Sequence, residues 1–261
     1  FTVYIEQTKF CNLKCFYCIH STRDDINGEF IKLGHKSQHM EIKLYEKIIN
    51  DLKSFPSGGI KRIVFSGLGE PLMNPKLPYF VKMAVNSKIA ERVEVITNGL
   101  LFEKETVDSL IEAGITNINI SVQGLTANDY ERVGGKKIDY SRFLSNLEYL
   151  YKNKKQAQIY IKAIDATLPL ENDKKQIFEL FSKVADKIYI EHLVVMQQQM
   201  EDLKDVVDGS KNFYGETLDA NRKVCAQSFY FLQIGADGET YPCPVPGLGK
   251  GISMGNANNE G

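Results

Sequence analysis

No stretch of the 261 residues stays apolar for the roughly 18 positions that a membrane-spanning helix needs. A basic surplus is also lacking. The 32 Lys and Arg face 33 Asp and Glu, for a net charge of −1, which argues against a nucleic-acid backbone as partner. There is no internal repeat, no low-complexity segment, and no charged and apolar leader at the start, where the residues read as a strand. Five cysteines, an odd number, fit a disulfide framework poorly. Reduced thiols in a cytoplasmic setting are the better reading. No Ser-His-Asp order or paired carboxylates point to hydrolysis. The chain starts at Phe1 and stops at Gly261 soon after a cysteine-bearing segment, so a longer native protein is expected.

What is present suits one large α/β domain with a small appendage: 43% of residues are hydrophobic and 25% charged. Strand-like blocks, short and rich in Val, Ile and Tyr, lie at 2–8, 60–66, 92–97, 117–122, 158–163 and 187–193. Helical patterns fall between or after them at 41–53, 76–87, 103–113, 140–152 and 171–184. Six β–α alternations imply parallel strands joined by right-handed crossovers. They are too few to close an eight-stranded barrel. The expected fold is therefore α/β, a partial (β/α)6 TIM-like barrel, with a doubly wound open sheet as second choice. In either, ligands bind at the C-terminal strand ends.

The unusual residues fall at those ends. A cysteine loop follows the first strand and Ser66-Gly67-Leu68-Gly69-Glu70-Pro71 the second. Thr97-Asn98-Gly99 follows the third, and Ser121-Val122-Gln123-Gly124 closes the fourth. Each is an ordinary turn signal alone; together they suggest one shared site. Residues 24–38 read as a loop that leaves His35 exposed, as is His39 just beyond it, and His192 at the sixth strand end faces either core or site. The pattern weakens over 196–222, which reads as a linker with Gln197-Gln198-Gln199. Beyond it, 229–234 and 239–241 flank Gly235-Ala236-Asp237-Gly238 as a β-hairpin. Three parts follow: a core at 1–196, a connection at 197–222 and a small module at 223–261.

Cys11, Cys15 and Cys18, at C-x3-C-x2-C spacing, wrap three thiolates around one metal centre and supply no fourth. Joined by His20 they read as a Cys3His zinc site. Without it they read as an iron–sulfur cube with one iron left open to a ligand. Zinc sites usually pair two separated ligand couples, so the cube is preferred.

With Tyr17 before Cys18, the loop resembles the C-x3-C-x-aromatic-C signature of the radical S-adenosylmethionine (SAM) enzymes. The resemblance implies a [4Fe-4S] cluster whose open iron chelates SAM, and cleavage to a 5′-deoxyadenosyl radical that abstracts hydrogen from substrate. It places Tyr17 near the adenine. Leu68-Gly69-Glu70-Pro71 is similar to the family's G-G-E-P motif, with Leu68 replacing the first Gly. There Gly69 admits close backbone approach and Glu70 accepts from the methionine ammonium. Asn98 and Ser121 would reach the ribose hydroxyls or the methionine carboxylate, and Lys162 is a weaker candidate for that carboxylate.

Twelve residues separate Cys225 from Gly238, and four separate Gly238 from Cys243. This resembles the opening of the SPASM and twitch modules, which bind auxiliary iron–sulfur clusters, with further ligands expected beyond Gly261. Such a module would cap the open side of the barrel. The resemblance implies an oxidoreductase-type enzyme drawing electrons from a donor such as flavodoxin or ferredoxin. Its substrate would be a peptide side chain or, alternatively, a small molecule such as a sugar or aminocyclitol. A metal-stabilised binding protein without activity is the alternative of another class.

Overall fold

The computed structural model describes residues 1–194, 203, 207–219, 223–245 and 248–259; Gln197, Gln198 and Gln199 lie outside them. Six strands follow one another in the order read from the sequence. They are β1 (Thr2–Ile5), β2 (Ile60–Phe65), β3 (Ala90–Thr97), β4 (Asn117–Ser121), β5 (Gln158–Ile164) and β6 (Lys187–Glu191). All are paired in parallel, in the spatial order β6-β5-β4-β3-β2-β1. β1 is shorter than expected because the chain beyond it turns to the 38–40 segment, with Met40 N on Gln7 O at 3.0 Å and Lys9 N on Gln38 O at 2.8 Å.

Alternate side chains along each strand face opposite sides. Val3, Ile63, Val95, Ile118, Ile161 and their neighbours point outward and pack into one apolar core under the helices. The other face turns polar residues inward: Tyr4, Arg62, Glu94, Asn119, Lys162 and Tyr189 line a common cavity. One sequence pattern thus makes both a core and a lumen.

The helices that cover the sheet are α2 (Ile42–Leu52), α3 (Leu77–Ser87), α4 (Lys104–Glu112), α6 (Tyr140–Asn153) and α7 (Glu171–Phe181). Each buries an apolar stripe at helical spacing, such as Leu44, Tyr45, Ile48, Ile49 and Leu52 in α2. Two helices were not expected. α1 (Glu29–Lys32) lies in the stretch read as a loop, and α5 (Ala127–Gly134) follows β4. α1 helps to correct the reading of His35, which is buried at 4% exposure. Phe30 packs on its ring at 5.4 Å and Lys9 lies 3.5 Å from its Nδ1. His39 is exposed as expected.

The C-terminal hairpin forms as read, from β7 (Phe231–Ile234) and β8 (Glu239–Tyr241), with β9 (Gly255–Asn256) pairing β8. Its placement is the surprise. β7 pairs in parallel with β1, so the hairpin extends the same open sheet at its β1 edge. An internal ion cluster fastens it there. The Lys9 ammonium, 1% exposed, lies 3.2 Å from Asp237 of the hairpin turn and 3.6 Å from Glu6. Removing one partner from a buried charge is far costlier than the pair is worth. Asp237→Ala should therefore lower unfolding stability by about 3 kcal/mol in a urea titration. Amide exchange in β7 and β8 should quicken more than in β3 to β5; uniform quickening would show that Asp237 does not fasten the hairpin.

Candidate active site

The cysteine loop is held from two sides. Below it, Lys14 N and Phe16 N donate to the Gly134 and Val133 carbonyls, at 2.8 and 3.1 Å. These are C-terminal carbonyls of α5, which a helix leaves without internal partners. Beside it, Glu70 N donates to Phe10 O at 2.7 Å. That approach needs Gly69, because a Cβ there would stand 2.2 Å from Thr8 O and 2.8 Å from Phe10 O. Gly69 thus lets the loop after β2 press against the segment that leads from β1 into the cysteines.

Cys11, Cys15 and Cys18 are all free thiols and partly buried. Burial pushes Cys11 up to about 11 and Cys15 up to about 12, and also raises Cys18. The neighbouring sulfurs add to the rise at Cys15. Bare, the three stay protonated at neutral pH; as thiolates they need a cationic group between them, whose binding expels the protons. His20 supplies no fourth ligand. Its Nε2 donates to Lys9 O at 2.7 Å and its Nδ1 accepts from Arg23 at 3.1 Å, and burial lowers it to about 4. Both ring nitrogens are used, which takes the Cys3His reading apart. Among the described residues no group of three or more His, Cys, Asp or Glu is placed to hold a single metal ion. A cube is bound differently, each thiolate taking its own iron. The donor set therefore fits a [4Fe-4S] cluster with one iron free of protein.

Glu70 is 3% exposed. Its carboxylate accepts from Leu72 N (2.9 Å), the Thr97 hydroxyl (2.5 Å) and Asn98 N (2.7 Å). Burial raises it to about 6 against those donors. A carboxylate has about four acceptor positions, so three donors leave room for one more. Asn98 is likewise engaged: Nδ2 donates to Asn12 Oδ1 at 2.7 Å, and Oδ1 accepts from Leu100 N at 3.0 Å. Glu70, Asn98 and the cysteine loop are thereby one connected unit.

Sequence reasoning missed Gln123, at 2% exposure. Its Oε1 accepts from the Tyr17 hydroxyl at 2.5 Å and from Cys15 Sγ at 3.7 Å, while Nε2 donates to Ser121 O at 3.0 Å. It fixes the Tyr17 ring against the end of β4. The segment Ser121 to Gly124 had signalled a strand end, but nothing local marked its Gln.

The inner cavity measures about 490 Å³, within the usual range of ligand sites. Tyr17, Cys18 and Ser66 line it with the inward residues of the strands, as do Gln227, Pro244 and Val245 of the C-terminal part. Of the expected cofactor residues, Tyr17 and Lys162 line it, whereas Gly69, Glu70, Asn98 and Ser121 are not among its lining residues. Lys162 pairs with Glu191 at 3.0 Å and Arg62 with Glu94 at 3.6 Å. His192 faces the cavity, its Nδ1 2.6 Å from Asp165 and its Nε2 3.1 Å from Asp208 O. His192 N also donates to Phe213 O at 2.8 Å. The described part of the expected linker therefore folds over the cavity and lines it with Phe213 and Tyr214. Cys225 is exposed and Cys243 half-buried. Burial raises the Cys243 thiol and the charge of Cys225 raises it further.

A family model described as the Radical SAM superfamily matches residues 5–181. The probable GTP 3′,8-cyclase of Methanococcus vannielii is 29% identical over 175 residues, covering 67% of this chain and 52% of that protein. The GTP 3′,8-cyclase of Chlorobaculum tepidum is 30% identical over 131 residues, covering 50% of this chain and 35% of that one. The matches thus span about half or less of these relatives' length. Among solved structures, Streptococcus suis SuiB bound to S-adenosylmethionine is similar with a TM-score of 0.64 at 14% identity, over 93% of this chain and 60% of that one. BtrN in complex with AdoMet and 2-DOIA is similar with a TM-score of 0.57 at 18% identity, over 99% and 78%.

Proposed function

This chain belongs to the radical SAM superfamily, and from that premise we propose that it modifies a peptide side chain at an unreactive C–H bond. When bound, the [4Fe-4S] cluster and SAM supply a 5′-deoxyadenosyl radical that takes a hydrogen atom from the substrate. In this reading Cys11, Cys15 and Cys18 hold the cluster. Glu70 takes the SAM ammonium at its remaining acceptor position, and Gly69 lets it come near. Asn98 and Ser121 serve the ribose or carboxylate, and Lys162 the carboxylate if it leaves Glu191. Tyr17, steadied by Gln123, lies along the adenine. Cys225 and Cys243 begin an auxiliary cluster site in the part 223–261, beside the core 1–196. Flavodoxin or ferredoxin in the cytoplasm is the electron source, a setting that suits the five free thiols.

The observation that carries the substrate class is the charge balance of the lumen. Among its described lining residues each full cation faces a carboxylate, Arg62 with Glu94 and Lys162 with Glu191. A triphosphate such as GTP, which the named relatives act on, would want unpaired cations. A neutral or zwitterionic group suits the lumen better. Tyr214, which lines the cavity, is 86% exposed, and Val224, Phe229 and Tyr230, on either side of the lining residue Gln227 in the chain, leave more than half of their surface in water. Exposed apolar side chains in the segments that reach the cavity favour a chain-like partner. SuiB, crystallised with its precursor peptide SuiA, shares this fold. A small aminated or hydroxylated molecule is the second reading, favoured by the polar inner wall of Asn119, Tyr189 and Lys162.

Deuterium transfer decides between them. Reconstituted protein is given SAM, dithionite and, separately, deuterated peptides, deuterated aminocyclitol or deuterated GTP. Label should appear in 5′-deoxyadenosine from the peptide pool. Label from GTP alone would refute the charge-balance argument.

A further inference from the structure

Asn12 lies between two cysteines of the loop and carries a buried donor without a partner. Its Nδ2 is shut off from solvent and meets no acceptor among the described residues. Buried amide groups are ordinarily satisfied, and each exception calls for an explanation.

The orientation of the amide follows from the network. Asn98 Oδ1 is occupied by Leu100 N at 3.0 Å, so Nδ2 is the end that Asn98 turns to Asn12, at 2.7 Å. A donor must meet an acceptor, which fixes Oδ1 of Asn12 toward Asn98 and leaves Nδ2 on the other side. The brace is rigid, because Asn98 N is itself held by Glu70 at 2.7 Å. Flipping the Asn12 amide would set two donors against each other.

We infer that the Asn12 side-chain N–H is kept for an electron-rich acceptor of the group bound in the loop, either a cluster sulfur or a carboxylate oxygen of SAM. Asn12 is then a further cofactor-contacting residue, which Asn98 also holds in place. The inference rests on the functional reading above. A hydrogen bond to a cluster sulfur stabilises the reduced form and raises the reduction potential. One to a carboxylate strengthens SAM binding.

Asn12→Asp keeps the oxygen facing Asn98 and puts a negatively charged oxygen where the N–H stood. Asn12→Ala removes the group without adding charge. Wild type and both variants are reconstituted anaerobically and assayed for iron and sulfide. The potential of the SAM-free cluster is measured by an EPR-monitored titration, and SAM affinity by equilibrium dialysis.

If the acceptor is sulfur, the potential becomes more negative in the order wild type, Asn12→Ala, Asn12→Asp. If it is the SAM carboxylate, the potential stays put while the Kd for SAM rises about tenfold in Asn12→Ala and further in Asn12→Asp. Fully loaded variants with both values unchanged would overturn the proposal. So would loss of the cluster from both variants, which would make Asn12 a structural brace only. A wild-type chain that takes up no iron and sulfide would instead sink the functional reading, and this proposal with it.

Discussion

Cys18→Ala abolishes SAM cleavage while leaving the fold in place. Cys18 closes the loop, with its backbone N–H on Cys15 O at 2.9 Å, and its side chain lines the cavity. Alanine keeps that backbone bond and removes only a sulfur. Stability should change by no more than about 1 kcal/mol, as for a modest side-chain truncation. The effect on the centre is of another order. His20 is occupied by Lys9 O and Arg23, so nothing at hand replaces the lost ligand. Iron and sulfide at this site should fall to background and 5′-deoxyadenosine release should drop more than a hundredfold, beyond the roughly 10–100-fold loss typical of outer-shell partners. Cys11→Ala and Cys15→Ala should behave alike. Cys225→Ala, on an exposed residue, should lower total iron while substrate-free release continues. Equal loss of release in Cys225→Ala would mean that the two centres are not separate.

Glu70→Gln gives the second large effect, and here two consequences must be separated. Glutamine keeps the shape and one acceptor oxygen but replaces the other with an NH2 donor. Thr97 is able to turn its hydroxyl and accept; Leu72 N and Asn98 N are not. In either orientation of the amide one buried backbone N–H therefore faces a donor, which costs about 1–3 kcal/mol of stability. The second consequence concerns SAM. Losing the carboxylate opposite an ammonium should weaken binding by about 10–100-fold, the range of one hydrogen bond to a charged group. Iron and sulfide content should hold, since no thiol is touched. Lower stability with unchanged SAM affinity would make Glu70 a brace between the loops after β2 and β3 and nothing more.

The pH dependence of the cofactor-free chain follows from the same carboxyl. Burial raises Glu70 from 4.5 to about 6. A raised acid favours its protonated form in the folded state, so that contribution is full below pH 4.5 and is lost as pH rises through 6. The loss amounts to about 2 kcal/mol, and Glu70→Gln should lack it in urea titrations run across that window.

The architecture was legible where local pattern and tertiary role coincide. Strands with alternating outward Ile and Val, and helices such as α2 with a full apolar stripe, announce themselves. The cysteine loop was legible for another reason: three thiols lie within eight residues, so their spacing marks a candidate metal centre, and the resemblance of the loop supplied its chemistry. α5 was passed over because it is eight residues long and buries little beyond Tyr130 and Val133 before Gly134 and the capping Gly135 end it. It nonetheless supplies the carbonyls that seat the cysteine loop. The pairing of β7 with β1 could not be read either, since a hairpin signal names its own two strands and no third.

Polar partners were the least legible. Tyr17 meets Gln123 across 106 positions, Asn98 meets Asn12 across 86, and Lys9 meets Asp237 across 228. Their residue types carry no sign of such distant mates. His35 shows the same limit from the other side. It sits in a polar stretch, yet Phe30 and Lys9 enclose it.

The central claim is that this loop holds a cluster whose open iron engages SAM. Reconstituted protein incubated anaerobically with SAM and dithionite, without substrate, tests it most directly. The account predicts 5′-deoxyadenosine and methionine in equal amounts, dependent on dithionite and absent from Cys18→Ala. Stoichiometric zinc without sulfide, or a fully loaded cluster that releases no 5′-deoxyadenosine, would contradict it.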